Sequence, residues 1–277
     1  MLIDTHCHLD AGEFDDDRMQ VAARAQAAGV RGIVIPAVER ANFAVVRDLA
    51  HAVSGGAYAL GIHPLFVERS DDADLRALRD AASAAMSDPR FVAIGEIGLD
   101  FFVKDIAAGA PRERQERFYA FQLELAAELG LPVLLHVRKS QDILLKHLRR
   151  SKVAGGIAHA FNGSVQQARA FVERGFALGL GGAMTFERAL RIRGHATHFD
   201  LEHLVLETDA PDIPPAWLHE PDRRNEPAQV AGVADALARL RGVPAEDIVA
   251  ATGATALRVL PRLGGALGIG TRRAGPP

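Results

Sequence analysis

The residues of this chain best equipped for chemistry are histidines and carboxylates that close short apolar runs. His6 and His8 follow Leu2-Ile3 within the stretch Asp4-Thr5-His6-Cys7-His8. Side chains alternate along an extended strand, so residues two apart share a face. Two imidazoles on one face can hold a divalent ion, and imidazole is the commonest protein ligand for zinc-like metals. Further on, His63 follows Tyr58-Ala59-Leu60-Gly61, Glu96 follows Phe91-Val92-Ala93-Ile94, and His136 follows Val133-Leu134-Leu135. His159 follows Gly156-Ile157-Ala158, and Glu207 and Asp209 follow Leu204-Val205-Leu206. A lone histidine ending one strand is ordinarily a hydrogen-bonded structural residue. Repetition of the pattern at successive strand ends points instead to a metal centre.

His6, His8, His136 and His159 with Glu96 and Asp209 exceed what one tetrahedral zinc requires. They suit two divalent ions about 3.5–4 Å apart. Glu96 is the expected bridge, one oxygen to each ion. His6, His8 and Asp209 are expected around one ion, His136 and His159 around the other. The expected chemistry is hydrolysis by a metal-bound hydroxide, with Glu96 and Asp209 as the catalytic carboxylates and Asp209 relaying the proton to the leaving group. Magnesium, manganese and zinc all suit this donor set; four histidines favour zinc or manganese, and the carboxylates leave room for magnesium. His63 precedes Pro64 and reads either as a turn residue packing the site or as a contact to a substrate phosphate. Glu207 shares a face with Asp209 and reads as orienting a ligand or pairing with a rim arginine. Cys7 faces away by parity and reads as a small buried residue. The other six of the eleven histidines, His51, His147, His195, His198, His203 and His219, fall on helices and loops and read as solvated or packing groups.

Elements must hold these residues in place. Eight apolar runs, the others being residues 32–35 and 176–178, read as buried parallel strands. Between them 17–28, 41–53, 72–86, 112–129 and 140–150 carry apolar residues at helical spacing. Helices are also expected over about 227–240 and 244–260. Eight strand–helix units predict a single-domain (β/α)8 barrel, whose catalytic residues lie at the C-terminal strand ends. A doubly wound sheet is the alternative, but no G-x-G-x-x-G follows the first strand. The barrel is expected over residues 1–262, and the Gly/Pro/Arg-rich 263–277 as a flexible tail.

The chain has 277 residues, 48% of them hydrophobic, and a formal net charge of −3. That supports a large core and excludes a generally basic coat for nucleic acid, while leaving room for a local basic rim. One cysteine excludes an internal disulfide and a cysteine-based zinc site. The N-terminus lacks the basic and apolar regions of a signal peptide, and no membrane span is read, so a cytoplasmic location is expected. Arg138, Lys139, Arg223 and Arg224 follow the fifth and eighth strands and could hold flanking phosphates. Phe101 and Phe102 could stack on a base or pack beneath their loop.

These stretches resemble the TatD family of metal-dependent nucleases, within the wider amidohydrolase-like barrels. The resemblance runs from residue 3 to about 260. It rests on residues 4–9, Gly61-Ile62-His63-Pro64, Gly95-Glu96-Ile97-Gly98-Leu99-Asp100, Gln115 through 121–123, and 131–138. It continues through His159-Ala160-Phe161-Asn162-Gly163, Glu207-Thr208-Asp209-Ala210-Pro211 and Arg224-Asn225-Glu226-Pro227. It implies metal ligands at His6, His8, Glu96, His136, His159 and Asp209, and cleavage of DNA phosphodiesters, often from the 3′ end, with magnesium or manganese. His63, Arg138, Arg224 and Asn225 are the expected substrate contacts, and DNA ends the expected partner. Departures fall at Phe101 or Phe102, where the family often has Tyr, at Asn162, where it has Ser, and at Thr255, which replaces an Asn. Residues 181–186 resemble a branch whose substrate is poorly defined. The competing readings are a deacylase or amidohydrolase acting on aminoacyl-tRNA or another carbonyl substrate, and a metal-stabilised scaffold without activity.

Overall fold

The computed structural model of the chain describes residues 1–221 and 223–269. Eight parallel strands lie side by side in chain order. They are β1 (Leu2–Asp4), β2 (Val30–Pro36), β3 (Gly56–Leu60), β4 (Phe91–Asp100), β5 (Val133–Arg138), β6 (Gly156–Ala158), β7 (Phe176–Leu180) and β8 (Leu204–Leu206). The Thr5 N–H donates to the Leu206 carbonyl at 3.0 Å, carrying hydrogen bonding from the last strand back towards the first. The result is the expected (β/α)8 barrel. Seven helices follow the first seven strands: α1 (Arg18–Ala27), α2 (Phe43–Ala52), α3 (Asp72–Ala85), α4 (Gly109–Leu129), α5 (Gln141–Leu148), α6 (Val165–Val172) and α7 (Leu190–His198). After β8 come α8 (Val230–Arg241), α9 (Ala245–Val259) and α10 (Leu263–Ala266).

Two apolar layers hold the barrel. The larger lies between strands and helices. The other takes at least one side chain from every strand, including Ile3, Val34, Leu134, Ile157 and Val205, and is closed from below by Val259, Leu260 and Leu263. A filled lumen leaves only the opposite, C-terminal rim for a site. Strand alternation then places site residues two positions beyond lumen residues: Leu134 leads to His136, Ile157 to His159, Val205 to Glu207.

Two boundaries differ from the sequence expectation. β4 does not stop at Ile94 but runs to Asp100, so Glu96 lies inside the strand, as His136 does in β5. The register explains why the run looked finished. Ile94 pairs with Val133 and Ile97 with Leu135, three residues of β4 against two of β5. A bulge of this kind re-aims side chains and interrupts the apolar pattern. Second, the segment expected to begin the tail is packed. Leu263 and Ala266 are buried against the lower lumen, because α10 presents its apolar face there. The rest of the expected tail, 270–277, lies outside the described residues.

Candidate metal centre

Glu96 sits at the centre of the rim with its oxygens turned to different neighbours. Oε2 is 3.1 Å from His6 Nε2 and 3.4 Å from His8 Nε2. Oε1 is 3.0 Å from His136 Nδ1 and 3.4 Å from His63 Nε2. Asp209 Oδ1 lies 3.7 Å from Nε2 of both His6 and His8, and its Oδ2 lies 3.7 Å from His159 Nε2. His6 Nε2 and His8 Nε2 are themselves 3.3 Å apart. The donor atoms fall into three overlapping groups, each within 4.8 Å: His6–His8–Asp209, His6–Glu96–His159 and His63–Glu96–His136. Imidazole nitrogens and carboxylate oxygens that converge in this way fit a divalent cation. All six sequence-predicted ligands are therefore brought together. The partition differs from the expected one: His136 groups with His63, and His159 with His6 and Glu96, because the His6 and His159 rings stack at 3.9 Å.

A second layer of carboxylates fixes two rings. His159 Nδ1 contacts Glu207 Oε1 at 3.0 Å, which turns Nε2 towards Asp209. Asp100 Oδ2 contacts His136 Nε2 at 3.0 Å, which turns Nδ1 towards Glu96. Carboxylate–imidazole–metal chains orient the ring and raise its basicity. Glu207 thus has the orienting role rather than a rim arginine as partner. His63 is held differently. Its Nδ1 accepts from the Leu65 N–H at 3.2 Å, so the ring proton sits on Nε2, facing Glu96. That points the His63 Nε2–H at Glu96 Oε1, 3.4 Å away.

The electrostatics follow. Burial opposes charging of His8 and His159, but Glu96 and Asp209 beside His8, and Asp209 and Glu207 beside His159, raise them to about 9 and about 10. Burial drives His63 down to about 4, and lowers His6, where the nearby His159 charge adds to the effect. Burial pushes the Glu96 carboxyl up, yet the His63 and His6 charges and the His136 hydrogen bond hold it well below its ordinary value. Burial likewise opposes ionisation of Asp100, but the hydrogen bond with His136 holds it down at about 2.

The backbone around the site is unusual. Lys139, Ala160, Asp209 and Ile213, just beyond β5, β6 and β8, are the non-glycine residues with positive φ among those described. Such conformations persist only where surroundings over-determine them, and they cluster at functional sites. One brace is Asp4, which accepts from the His6 and Thr208 N–H groups and the Thr208 hydroxyl, and whose carboxyl burial pushes up to about 8. Helix α4 is another. Gln115 and Gln122, two turns apart on one face, bind both backbone groups of Asp100 and of Ile62 respectively. At Gly179 a Cβ would lie 2.2 Å from Glu207 Oε2, so only glycine leaves room for that carboxylate.

A cavity of about 940 Å³ opens above the centre, lined by Asp10, Phe102, Arg138, Lys139, Asn162 and Arg191 among others. The Arg138 guanidinium stacks on Phe102 at 4.0 Å, and Lys139 Nζ lies 4.8 Å from the same ring. Phe101, by contrast, packs against the core under Arg112. Two expected substrate contacts do not line this cavity. The Arg224 side chain pairs with both Asp17 oxygens and the Glu13 carbonyl on the barrel flank. Asn225 is fully buried, its amide bound to the carbonyls of Thr208, Asp212 and Ile213. It clamps the loop that carries Asp209. Cys7 is buried and faces the Ala210 carbonyl, as parity predicts.

The sequence profile described as TatD related DNase matches residues 3–261. The chain belongs to the TatD-related DNase family. It is 41% identical to YjjV of Escherichia coli K12, described as an uncharacterized metal-dependent hydrolase, over 90% of this chain and 93% of that one. It is 34% identical to the Salmonella typhimurium protein named 3′-5′ ssDNA/RNA exonuclease TatD, over 92% of this chain and 97% of that one. The crystal structure of YjjV from Escherichia coli superposes with a TM-score of 0.87 at 39% identity, covering 94% of this chain and 98% of that one. This TatD-family chain is accordingly a metal-dependent hydrolase. Among the described residues, no helix is long and apolar enough to cross a membrane.

Sequence reasoning missed Asp100 as a partner of His136 and the roles of Asp4, Gln115 and Gln122. Asp100 was within reach: Glu96, Gly98 and Asp100 alternate along β4, but only if the strand continues past its bulge.

Proposed function

We propose that this protein is a phosphodiesterase that trims single-stranded nucleic acid, DNA first, from an end. The observation that carries this reading is the cation–aromatic wall of Phe102, Arg138 and Lys139 beside the donor cluster. An arginine and a lysine can grip phosphates flanking the scissile one, and an aromatic face suits an unpaired base of any sequence. The exonuclease name of the 34%-identical Salmonella relative supports the same substrate class.

In this reading His6, His8, Glu96, His136, His159 and Asp209 would hold two divalent ions. Bound there, the ions supply Lewis-acid stabilisation of phosphoryl oxygens and make water more acidic. Asp209 receives the proton from attacking water as the new P–O bond forms. It passes that proton to the departing ribose oxygen as the old P–O bond breaks. Glu207 and Asp100 keep His159 and His136 in the ligating tautomer. The His63 Nε2–H steadies Glu96 and reaches a phosphate oxygen above it. Arg138 and Lys139 fix the strand so that one phosphodiester lies over the centre.

The test is parallel digestion, after reconstitution with magnesium, manganese or zinc, of end-labelled single- and double-stranded DNA, RNA and charged tRNA. Metal-dependent release of mononucleotides from single strands is expected. Release of amino acid from charged tRNA without any nucleotide release would overturn the reading.

A further inference from the structure

Beside the main cavity, on the side away from Phe102, lies a recess of about 390 Å³ lined by Ala183, Phe186, Arg188, Ile213, Pro214 and Arg223. Ala183 and Ile213 line both spaces, so the recess adjoins the metal centre's cavity. Its frame is tied together. At Gly182 a Cβ would lie 2.1 Å from the Ile213 carbonyl oxygen, so the β7 and β8 loops touch backbone to backbone. Thr185 Oγ1 donates to the Gly182 carbonyl and accepts from the Ala216 N–H at 2.7 Å. Phe186 is half-buried and carries the Arg188 guanidinium 5.7 Å from its ring centre. Among the described residues Arg188 forms no ion pair, and the one carboxylate that Arg223 meets is Glu220, at 3.9 Å.

We propose that this recess takes the base of an unpaired nucleotide next to the scissile phosphodiester, stacked on Phe186, with its phosphate between Arg188 and Arg223. The inference rests on the nuclease reading and deepens it. The volume is at the small end of ligand pockets, and suits one base rather than a base pair. An apolar wall bearing two cations complements a base with its phosphate, and matches the ring-plus-cation wall at Phe102. Because the frame is rigid, the base is met by a preformed surface. The recess therefore selects single strands and rewards a substrate with a nucleotide on this side.

The experiment compares kcat/KM on a short single-stranded oligonucleotide with kcat/KM on bis(p-nitrophenyl) phosphate, using the metal-loaded enzyme. Phe186→Ala is expected to lower the ratio of the two about tenfold, and Phe186→Trp to restore it. Arg188→Gln with Arg223→Gln is expected to flatten the salt dependence of oligonucleotide turnover, by about 0.7 in log–log slope for each phosphate no longer neutralised. A ratio that Phe186→Ala leaves unchanged, or that Phe186→Trp fails to restore, overturns the recess while the nuclease reading stands. Hydrolysis of bis(p-nitrophenyl) phosphate with no oligonucleotide cleavage by the wild-type enzyme overturns both.

Discussion

Each imidazole at the centre has one nitrogen facing the donor cluster, and for His159 and His136 a carboxylate decides which. Glu207→Gln tests this for His159: an amide presented with its nitrogen to Nδ1 no longer favours the Nδ1–H tautomer. Metal affinity is expected to fall about 10–100-fold, as for other residues that orient a ligand, in a calorimetric titration; unchanged affinity would show that Glu207 does not orient the ring. The proton count is a second test. In the metal-free protein His8 and His159, raised to about 9 and about 10, hold protons at neutral pH. Ligation needs neutral imidazole, so loading releases protons, and affinity rises with pH until those values are passed. Calorimetry at neutral pH in buffers of different ionisation enthalpy should report that release; buffer-independent heats would contradict it. Residue parity at strand ends made all six donors legible in the sequence. Their partition was not, because spacing along a chain carries no distance between rings such as the stacked His6 and His159.

At the scale of elements, the rim is shaped by how strands end and how loops are tied back. The bulge in β4 hid the strand's last six residues, and with them Asp100, since Gly95-Glu96 breaks the apolar run as a loop would. The stretch Arg224-Asn225 gave the opposite difficulty. Adjacency to the Asp209 loop was legible, but not that Asn225 points beneath the loop and Arg224 along the barrel flank. Asn225→Ala removes the donors for the buried Thr208 carbonyl and for the partly buried carbonyls of Asp212 and Ile213. Leaving a buried group unpaired costs about 1–3 kcal/mol, and the other two carbonyls can turn to water, so a drop in stability of about 2 kcal/mol is expected. In a protein of this size that lowers Tm by about 4–8 °C. A melt of metal-depleted variant and wild-type protein checks this. An unshifted Tm with a raised KM would return Asn225 to substrate binding.

For the molecule as a whole, one end of the barrel is an apolar plug and the other concentrates buried imidazoles and carboxylates. The barrel was readable because every strand is a short apolar run followed by a chain long enough to cross back over the sheet. The packing of Leu263 and Ala266 was not, because two apolar residues among glycines give no periodicity to read. The charged end couples folding to metal: an ion that binds only the native state stabilises it by about 2.7 kcal/mol at a hundredfold excess over Kd. Chelation is therefore expected to lower Tm by roughly 5–10 °C, and scanning calorimetry with and without chelator measures it. Equal melting temperatures would mean that no ion is held by the folded chain.

Anomalous diffraction from crystals loaded with manganese tests most directly the proposal that Glu96 would lie between two cations. Two peaks are predicted, one beside Oε2 near His6, His8 and Asp209, and one beside Oε1 near His136. A map with no peak within ligand distance of Glu96 would contradict the account.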